Sequence, residues 1–164
     1  MSTIEEIRPA IEADADGIAA VFAPYATGSV VTFETTPPTP DQWHAKVRES
    51  DLPFLVLAGT KVRGFALAAP WRPKPAYRHT VETTIYLAPE AAGRGHGRRL
   101  LDELLKQCAD AGARQAIAVV VDSGSPASRN LHRAAGFIDA GVLRRVGFKH
   151  GRWLDTLLMQ RELG

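Results

Sequence analysis

The chain has 164 residues, 45% of them hydrophobic and 23% charged, with a formal net charge of +2. This is the size and balance of one folded domain that can bury a core without disulfide or metal staples. So small a charge gives no reason to expect nucleic-acid or membrane partners, and no apolar run approaches membrane-spanning length.

The single cysteine, Cys108, cannot form an intramolecular disulfide, which points to a reducing compartment. No basic stretch followed by an apolar run marks a signal peptide, so a cytoplasmic location is expected. Cys108 also has no second cysteine with which to bind a metal. It falls on the helical stripe of Leu100, Leu101, Leu104 and Leu105, the pattern of a small core residue. Basic residues cluster at Arg94, Arg98 and Arg99, and at Arg144, Arg145, Lys149 and Arg152. The ordinary reading of such clusters is a solvated face, with anion binding the exception.

In chain order, Ile4 to Arg8 alternates weakly and predicts a first strand. Ile18, Val21, Phe22 and Tyr25 recur at helical spacing, so Asp14 to Tyr25 reads as a helix. Gly28 to Phe33, rich in Val and Thr, reads as extended. Thr39-Pro40-Asp41-Gln42 carries a cap, a first-turn proline and a capping-box glutamine, and Trp43 and Val47 give the helix it opens an apolar side. Phe54 to Ala58 and Gly64 to Ala69 flank a short turn and predict a hairpin. Trp71 to Pro75 cannot continue a central strand, because proline lacks the ladder donor.

Val81 to Leu87 is the next strand. Val81, Thr83, Ile85 and Leu87 take one side, so Glu82, Thr84 and Tyr86 take the other. A glycine-rich loop leads to a helix from about Arg98 to Ala111, ended by Gly112. Ala116 to Val121 is a buried strand, and Ser125-Pro126 opens a helix that ends at Gly136. Phe137 to Leu143 and Leu154 to Leu163 complete a mixed central sheet of about seven strands flanked by about four helices, an α/β (α+β) arrangement.

Ala92-Gly93-Arg94-Gly95-His96-Gly97-Arg98 lies between a strand and a helix. Its glycines permit a tight turn and close approach of a ligand, and a helix N-terminus suits phosphate. No Gly-Lys-Ser/Thr follows, so it is not a P-loop. Arg98 stands where the dinucleotide fingerprint needs its third glycine. What remains is a solvated turn or a loop that grips the pyrophosphate of coenzyme A.

At this point the sequence resembles the GNAT acetyltransferases, whose phosphate loop reads Gln/Arg-x-x-Gly-x-Gly/Ala. Gly95 and Gly97 match its small positions, and Ala92 replaces the usual Gln or Arg. Within that superfamily the sequence more closely resembles the phosphinothricin and methionine sulfoximine acetyltransferases. The segments that carry it are Phe33-Glu34-Thr35-Thr36-Pro37, Trp71-Arg72-Pro73, Thr80 to Leu87, Leu131 to Phe137 and Val146 to Asp155. Ser125 departs again, standing where the family has an asparagine at coenzyme A.

The resemblance implies a single acetyltransferase domain over residues 1–164, with acetyl-CoA as co-substrate and no metal. It implies cofactor contacts from Ile85, Tyr86, Leu87, Gly93, Arg94, Gly95, His96, Gly97, Arg98 and Ser125. It assigns Glu82 as general base and places Arg72, Pro73 and Lys74 with Glu82 at the substrate. His132 occupies the neighbourhood of a leaving-group acid. A structural role is an equal reading of His132, and a structural role is the preferred one for His150. Phe33 and Tyr77 are candidates to line the amino-acid pocket.

Acetyl transfer to an amine needs the neutral amine, and a carboxylate such as Glu82 can take its proton. An arginine such as Arg72 pairs bidentately with a carboxylate or phosphinate. The implied reaction is direct attack on the thioester by the α-amine of a small amino-acid analogue, in a homodimer. The alternatives are another acceptor (a polyamine, an aminoglycoside or a peptide N-terminus) or a coenzyme-A-binding domain without activity.

Overall fold

The computed structural model describes residues 4–164. Among these, seven strands form one sheet in the order β1-β2-β3-β4-β5-β7-β6. The strands are β1 (Glu6–Pro9), β2 (Phe54–Ala58), β3 (Val62–Pro70), β4 (Thr80–Leu87), β5 (Gln115–Val121), β6 (Ile138–Lys149) and β7 (Arg152–Glu162). The helices are α1 (Ala15–Gly28), α2 (Pro40–Glu49), α3 (His96–Asp110) and α4 (Ala127–Ala134). The mixed sheet and its flanking helices agree with the pattern in the sequence.

Both faces of the sheet are covered. β2 therefore reads as an unbroken apolar run rather than an alternating one. Leu55 and Leu57 join the core under α3, whereas Phe54, Val56 and Ala58 join the core under α1 and α2. The α3 stripe of Leu100, Leu101, Leu104, Leu105 and Cys108 is fully enclosed in the first core. Each buried leucine contributes roughly 1.5–3 kcal/mol by area. Phe22, Trp43 and Phe65 pack edge to face in the second core.

Local signals set several boundaries. Thr39 Oγ1 accepts from the Gln42 amide while the Gln42 side chain accepts from the Thr39 amide, the reciprocal capping box that the sequence predicts. α3 starts two residues earlier than expected, because Gly95 at φ +78° turns the chain directly into it. His150 and Gly151, at φ +51° and +72°, make the two-residue turn between β6 and β7.

Two expectations are corrected. Gly28 to Phe33 is not extended: Gly28 ends α1, and residues 29–39 cross to α2 as a bent loop. It pairs with no strand, and its own hydroxyls turn it, Ser29 Oγ accepting from the Val31 amide and Thr32 Oγ1 from the Glu34 amide. β6 runs on past Leu143 to Lys149, because a bulge between Leu143 and Gly147 lets pairing with β7 resume at Leu154. The Arg145 amide, at the bulge, donates to Asp155 Oδ1 at 2.8 Å.

Candidate active site

β4 and β5 form the parallel pair of the sheet, and the pairing is short. It runs from Thr80↔Gln115 to Thr83↔Ala118 and then stops. β5 continues beside β7 as far as Val121, and β4 continues beside β3 as far as Leu87. Beyond Thr83 the two strands part, and a cavity of about 580 Å³ passes between them. One wall belongs to α1, α2 and the loop between them, through Phe22, Tyr25, Phe33, Glu34, Trp43 and Lys46. The opposite end lies against α4, at Ser125, Ser128, Leu131 and His132.

Strand alternation decides where Glu82 sits. Val81 and Ile85 pack with the α3 core, and Tyr86 packs with the α1–α2 core. Glu82 shares the side of Tyr86, lines the cavity and is half-buried. Burial pushes its carboxyl above the ordinary range, opposed more weakly by the positive charges of Arg72 and Lys46.

Ile85, Tyr86, Leu87 and Ser125 also line the cavity, as does Ala92 at the start of the glycine-rich loop. Ser125 Oγ accepts from the Ala127 amide at the start of α4. Gly93 and Gly95 both have positive φ, the conformation that favours glycine there, and nothing lies within 4 Å of where their β-carbons would be. Gly97 is buried against Leu87 and Leu131. Arg98 pairs along its own helix with Asp102 at 2.9 Å. Arg94 and His96 line a separate basic recess with Arg63 and Arg99, where Glu5 accepts from Arg63 at 3.2 Å and faces His96 Nε2 at 3.1 Å.

A long thioester cofactor fits this arrangement. The gap leaves strand edges on β4 and β5 without neighbours beyond Thr83, the glycine loop presents open backbone, and α3 points its N-terminus at the loop. Thr83 Oγ1, beside the parting point, is a buried hydroxyl without a partner.

His132 is buried and stacks edge-on against Phe137 at 5.0 Å. Its Nδ1 lies 2.7 Å from the Ser128 carbonyl, which can only accept, so the Nδ1 proton is committed there. Burial holds its pKa below the ordinary value.

Arg72, Pro73 and Lys74 are exposed and do not line the cavity. The Arg72 guanidinium stacks on Trp71 at 4.6 Å and reaches the site through its field on Glu82. Tyr77 is likewise exposed and outside the lining, whereas Phe33 is within it.

Sequence reasoning missed two residues that line this cavity and one that holds its wall from behind. Lys46 projects from α2 into the cavity, lying over the Trp43 ring at 5.4 Å. Its place one turn after Trp43 put it near that ring, but only packing turns this side of α2 to the cavity. Glu34 also lines the cavity, from the Phe33 to Pro37 segment, whose one signal in the sequence is the family resemblance. Lys149, grouped in the sequence with solvated arginines, is instead 5% exposed. Nothing local distinguishes it, because its partners are remote in the chain.

Three comparisons with known proteins agree with this geometry. The model of the acetyltransferase (GNAT) family matches residues 18–137. A phosphinothricin N-acetyltransferase of Alcaligenes faecalis is 45% identical over 161 residues, covering 96% of this chain and 82% of that protein. An L-methionine sulfoximine/L-methionine sulfone acetyltransferase of Pseudomonas paraeruginosa is 34% identical, covering 96% of this chain and 94% of that one. Among solved structures, a GNAT superfamily phosphinothricin acetyltransferase from Sinorhizobium meliloti in complex with AcCoA superposes with a TM-score of 0.89 at 41% identity. That match covers 98% of this chain and 89% of the other. A putative acetyltransferase from Salmonella typhimurium with its cofactor acetyl-CoA gives 0.93 at 30% identity, covering 99% and 95%. With the family match spanning most of the chain and the parted strands over a glycine loop in place, the chain belongs to the GNAT acetyltransferase family.

Proposed function

We propose that this acetyl-CoA-dependent N-acetyltransferase acetylates the α-amine of a small amino-acid analogue, phosphinothricin or methionine sulfoximine or its sulfone, with Glu82 as proton acceptor. The observation that carries this reading is the position of Glu82. It is half-buried on the α1–α2 side of a gap whose other end meets the glycine loop and α4. An amine entering from one face meets a thioester entering from the other, with the carboxylate beside it.

Coenzyme A supplies an activated acetyl thioester when bound. The residues of this chain do the rest. Loop amides of Gly93 to Gly97 and the α3 N-terminus suit the pyrophosphate, assisted by Arg94, His96 and Arg98. Main-chain groups of Ile85, Tyr86 and Leu87 take the place of a strand neighbour for the pantetheine arm, and Ser125 adds a hydroxyl at α4. A free amide there, that of Ile85, polarises the thioester carbonyl. Glu82 accepts the ammonium proton, and its raised pKa brings it nearer the pH at which it works. Arg72 and Lys74, joined by Lys46, attract the acceptor's anionic group, and Pro73 stiffens the segment that carries the first two.

Attack is direct. Cys108, the sole cysteine, lies in the α3 core with its thiol pushed up to about 11, which makes it a poor nucleophile. His132 keeps Nδ1–H on Ser128, so Nε2 is the nitrogen that delivers a proton to the departing thiolate. Burial favours the neutral imidazole, so Nε2 must first take a proton from solvent, and the imidazolium so formed gives it up readily to the thiolate.

A thiol-release assay over a panel of amines tests the acceptor. Methionine sulfone, methionine sulfoximine and phosphinothricin should be turned over. Preference for a polyamine, aminoglycoside or peptide would reassign the acceptor, and acetyl-CoA binding without any turnover would indicate a binding domain.

The chain is proposed to act as one domain, in the cytoplasm, as a homodimer. Val142, Leu143, Val146, Phe148 and Trp153 are exposed apolar residues of the β6–β7 hairpin at the sheet edge, and Phe148 and Trp153 stack at 4.9 Å. A second copy would cover them. Trp153→Glu should lower the sedimenting mass by half. A wild-type monomer at micromolar concentration would refute the assembly. No helix among the described residues is long and apolar enough to cross a membrane.

A further inference from the structure

Lys149 ends β6 and is buried, yet no carboxylate among the described residues pairs with it. Its ammonium group donates to three backbone carbonyls: Glu34 at 2.6 Å, Thr32 at 2.9 Å and Tyr25 at 3.4 Å. These belong to the last turns of α1 and to the loop over residues 29–39, which has no regular structure. Val31, Thr32, Phe33, Glu34 and Pro38 of that loop line the cavity on the side of Glu82. Two positions earlier on β6, Gly147 receives the Phe33 ring in the space a β-carbon would fill.

A lysine suits this place for a geometric reason. Its three N–H donors diverge from one nitrogen and can meet three carbonyls at once, and it has no acceptor of its own to satisfy. A planar guanidinium presents its donors in a rigid fork instead. Hydrogen bonds from a charged donor are about twice as strong as neutral ones. Removing the donor would leave three carbonyls short of a partner beside the cavity.

We propose that Lys149 is a positioning residue for the acceptor: it clasps residues 29–39 so that Phe33 and Glu34 form the acceptor wall of the site. The clasp belongs to the amine side of the gap and does not touch the glycine loop. It rests on the reading of this cavity as an amino-acid-analogue site. Acceptor and clasp are then coupled, each favouring the seated loop.

The test is steady-state kinetics of Lys149→Met and Lys149→Arg, with methionine sulfone and acetyl-CoA varied in turn. Lys149→Met should raise the acceptor KM about ten-fold or more. The acetyl-CoA KM should stay within about two-fold, and Lys149→Arg should fail to restore the acceptor KM fully. Equal acceptor KM in wild type and Lys149→Met, or a parallel rise in both KM values, would overturn the clasp. Wild type that turns over other amines but not amino-acid analogues would instead overturn the acceptor assignment.

A second measurement needs no folded variant. Reductive methylation of the wild type, read by mass spectrometry, should spare Lys149 while Lys61 and Lys74 react. Saturating methionine sulfone should slow Lys149 further, and acetyl-CoA alone should not. Modification of Lys149 as fast as the exposed lysines, or no response to the acceptor, would refute the coupling.

Discussion

The far edge of the Phe33 ring rests on the backbone of Gly147, in the space a β-carbon would occupy. The glycine is required there for room, since its φ is not positive. A methyl group would displace the ring and with it the loop that lines the cavity. Gly147→Ala should therefore raise the acceptor KM several-fold and lower stability by about 1–3 kcal/mol, the usual range for overpacking. Acetyl-CoA affinity, measured by calorimetry, should be unchanged.

Glu82→Gln keeps the shape of the site and removes the proton acceptor. Turnover should fall roughly 10²- to 10⁴-fold, with acetyl-CoA affinity nearly intact. In the wild type, kcat/KM should be lost as pH falls through the Glu82 pKa, which burial places above that of an ordinary glutamate. The sign for stability is opposite to the usual carboxylate case. The folded state holds this proton more tightly than the unfolded one, so its contribution falls as pH rises from the ordinary glutamate range through the raised value. Glu82→Gln should accordingly raise Tm at pH 7 and gain less at pH 4. Full activity of the variant at neutral pH would remove Glu82 from the mechanism.

Asp14 is a carboxylate of the ordinary kind. Arg8 grips it with two hydrogen bonds of 2.8 and 2.9 Å, and the Ile11 amide adds a third at 2.9 Å. The Arg8 guanidinium, first among these, holds the carboxyl below its usual range. Its contribution is complete above the unfolded carboxylate pKa and is lost as pH falls through the depressed folded value. Asp14→Asn should cost about 1–3 kcal/mol at pH 7 by urea unfolding, and the gap to wild type should narrow on acidification.

Cys108 offers a control for direct attack. Its thiol is buried and pushed up to about 11. Cys108→Ala should leave kcat within about two-fold, because no acyl-enzyme forms on it. Cys108→Ser should lower stability by about 1–3 kcal/mol through an unpaired buried hydroxyl. A burst of acetylated Cys108 in rapid-quench mass spectrometry would contradict the mechanism.

Much of the frame was legible because it follows from local rules. The Thr39 capping box, the α3 leucine stripe and the alternation along β4 each depend on residues a few positions apart. Alternation alone set Glu82 opposite Val81 and Ile85, and the motifs from Phe33 to Asp155 pointed to the family. Gly28 to Phe33 misled, since Val and Thr favour extended strands only when the completed fold pairs them with a neighbour. β6 was read too short because a bulge breaks the alternation that a sequence pattern relies on.

By itself the sequence determined which side chains share a face on β4 and α3, that Thr39 caps α2, and that one thiol lies in a leucine stripe. Tertiary structure alone decided that β4 and β5 part after Thr83, that Lys46 enters the cavity while Arg72 stays outside its lining, and that Lys149 leaves water for three carbonyls. Those carbonyls lie 115 to 124 residues away in the chain. Periodicity and capping act over one or two turns, whereas a buried ammonium is placed by whatever backbone the completed fold brings to it.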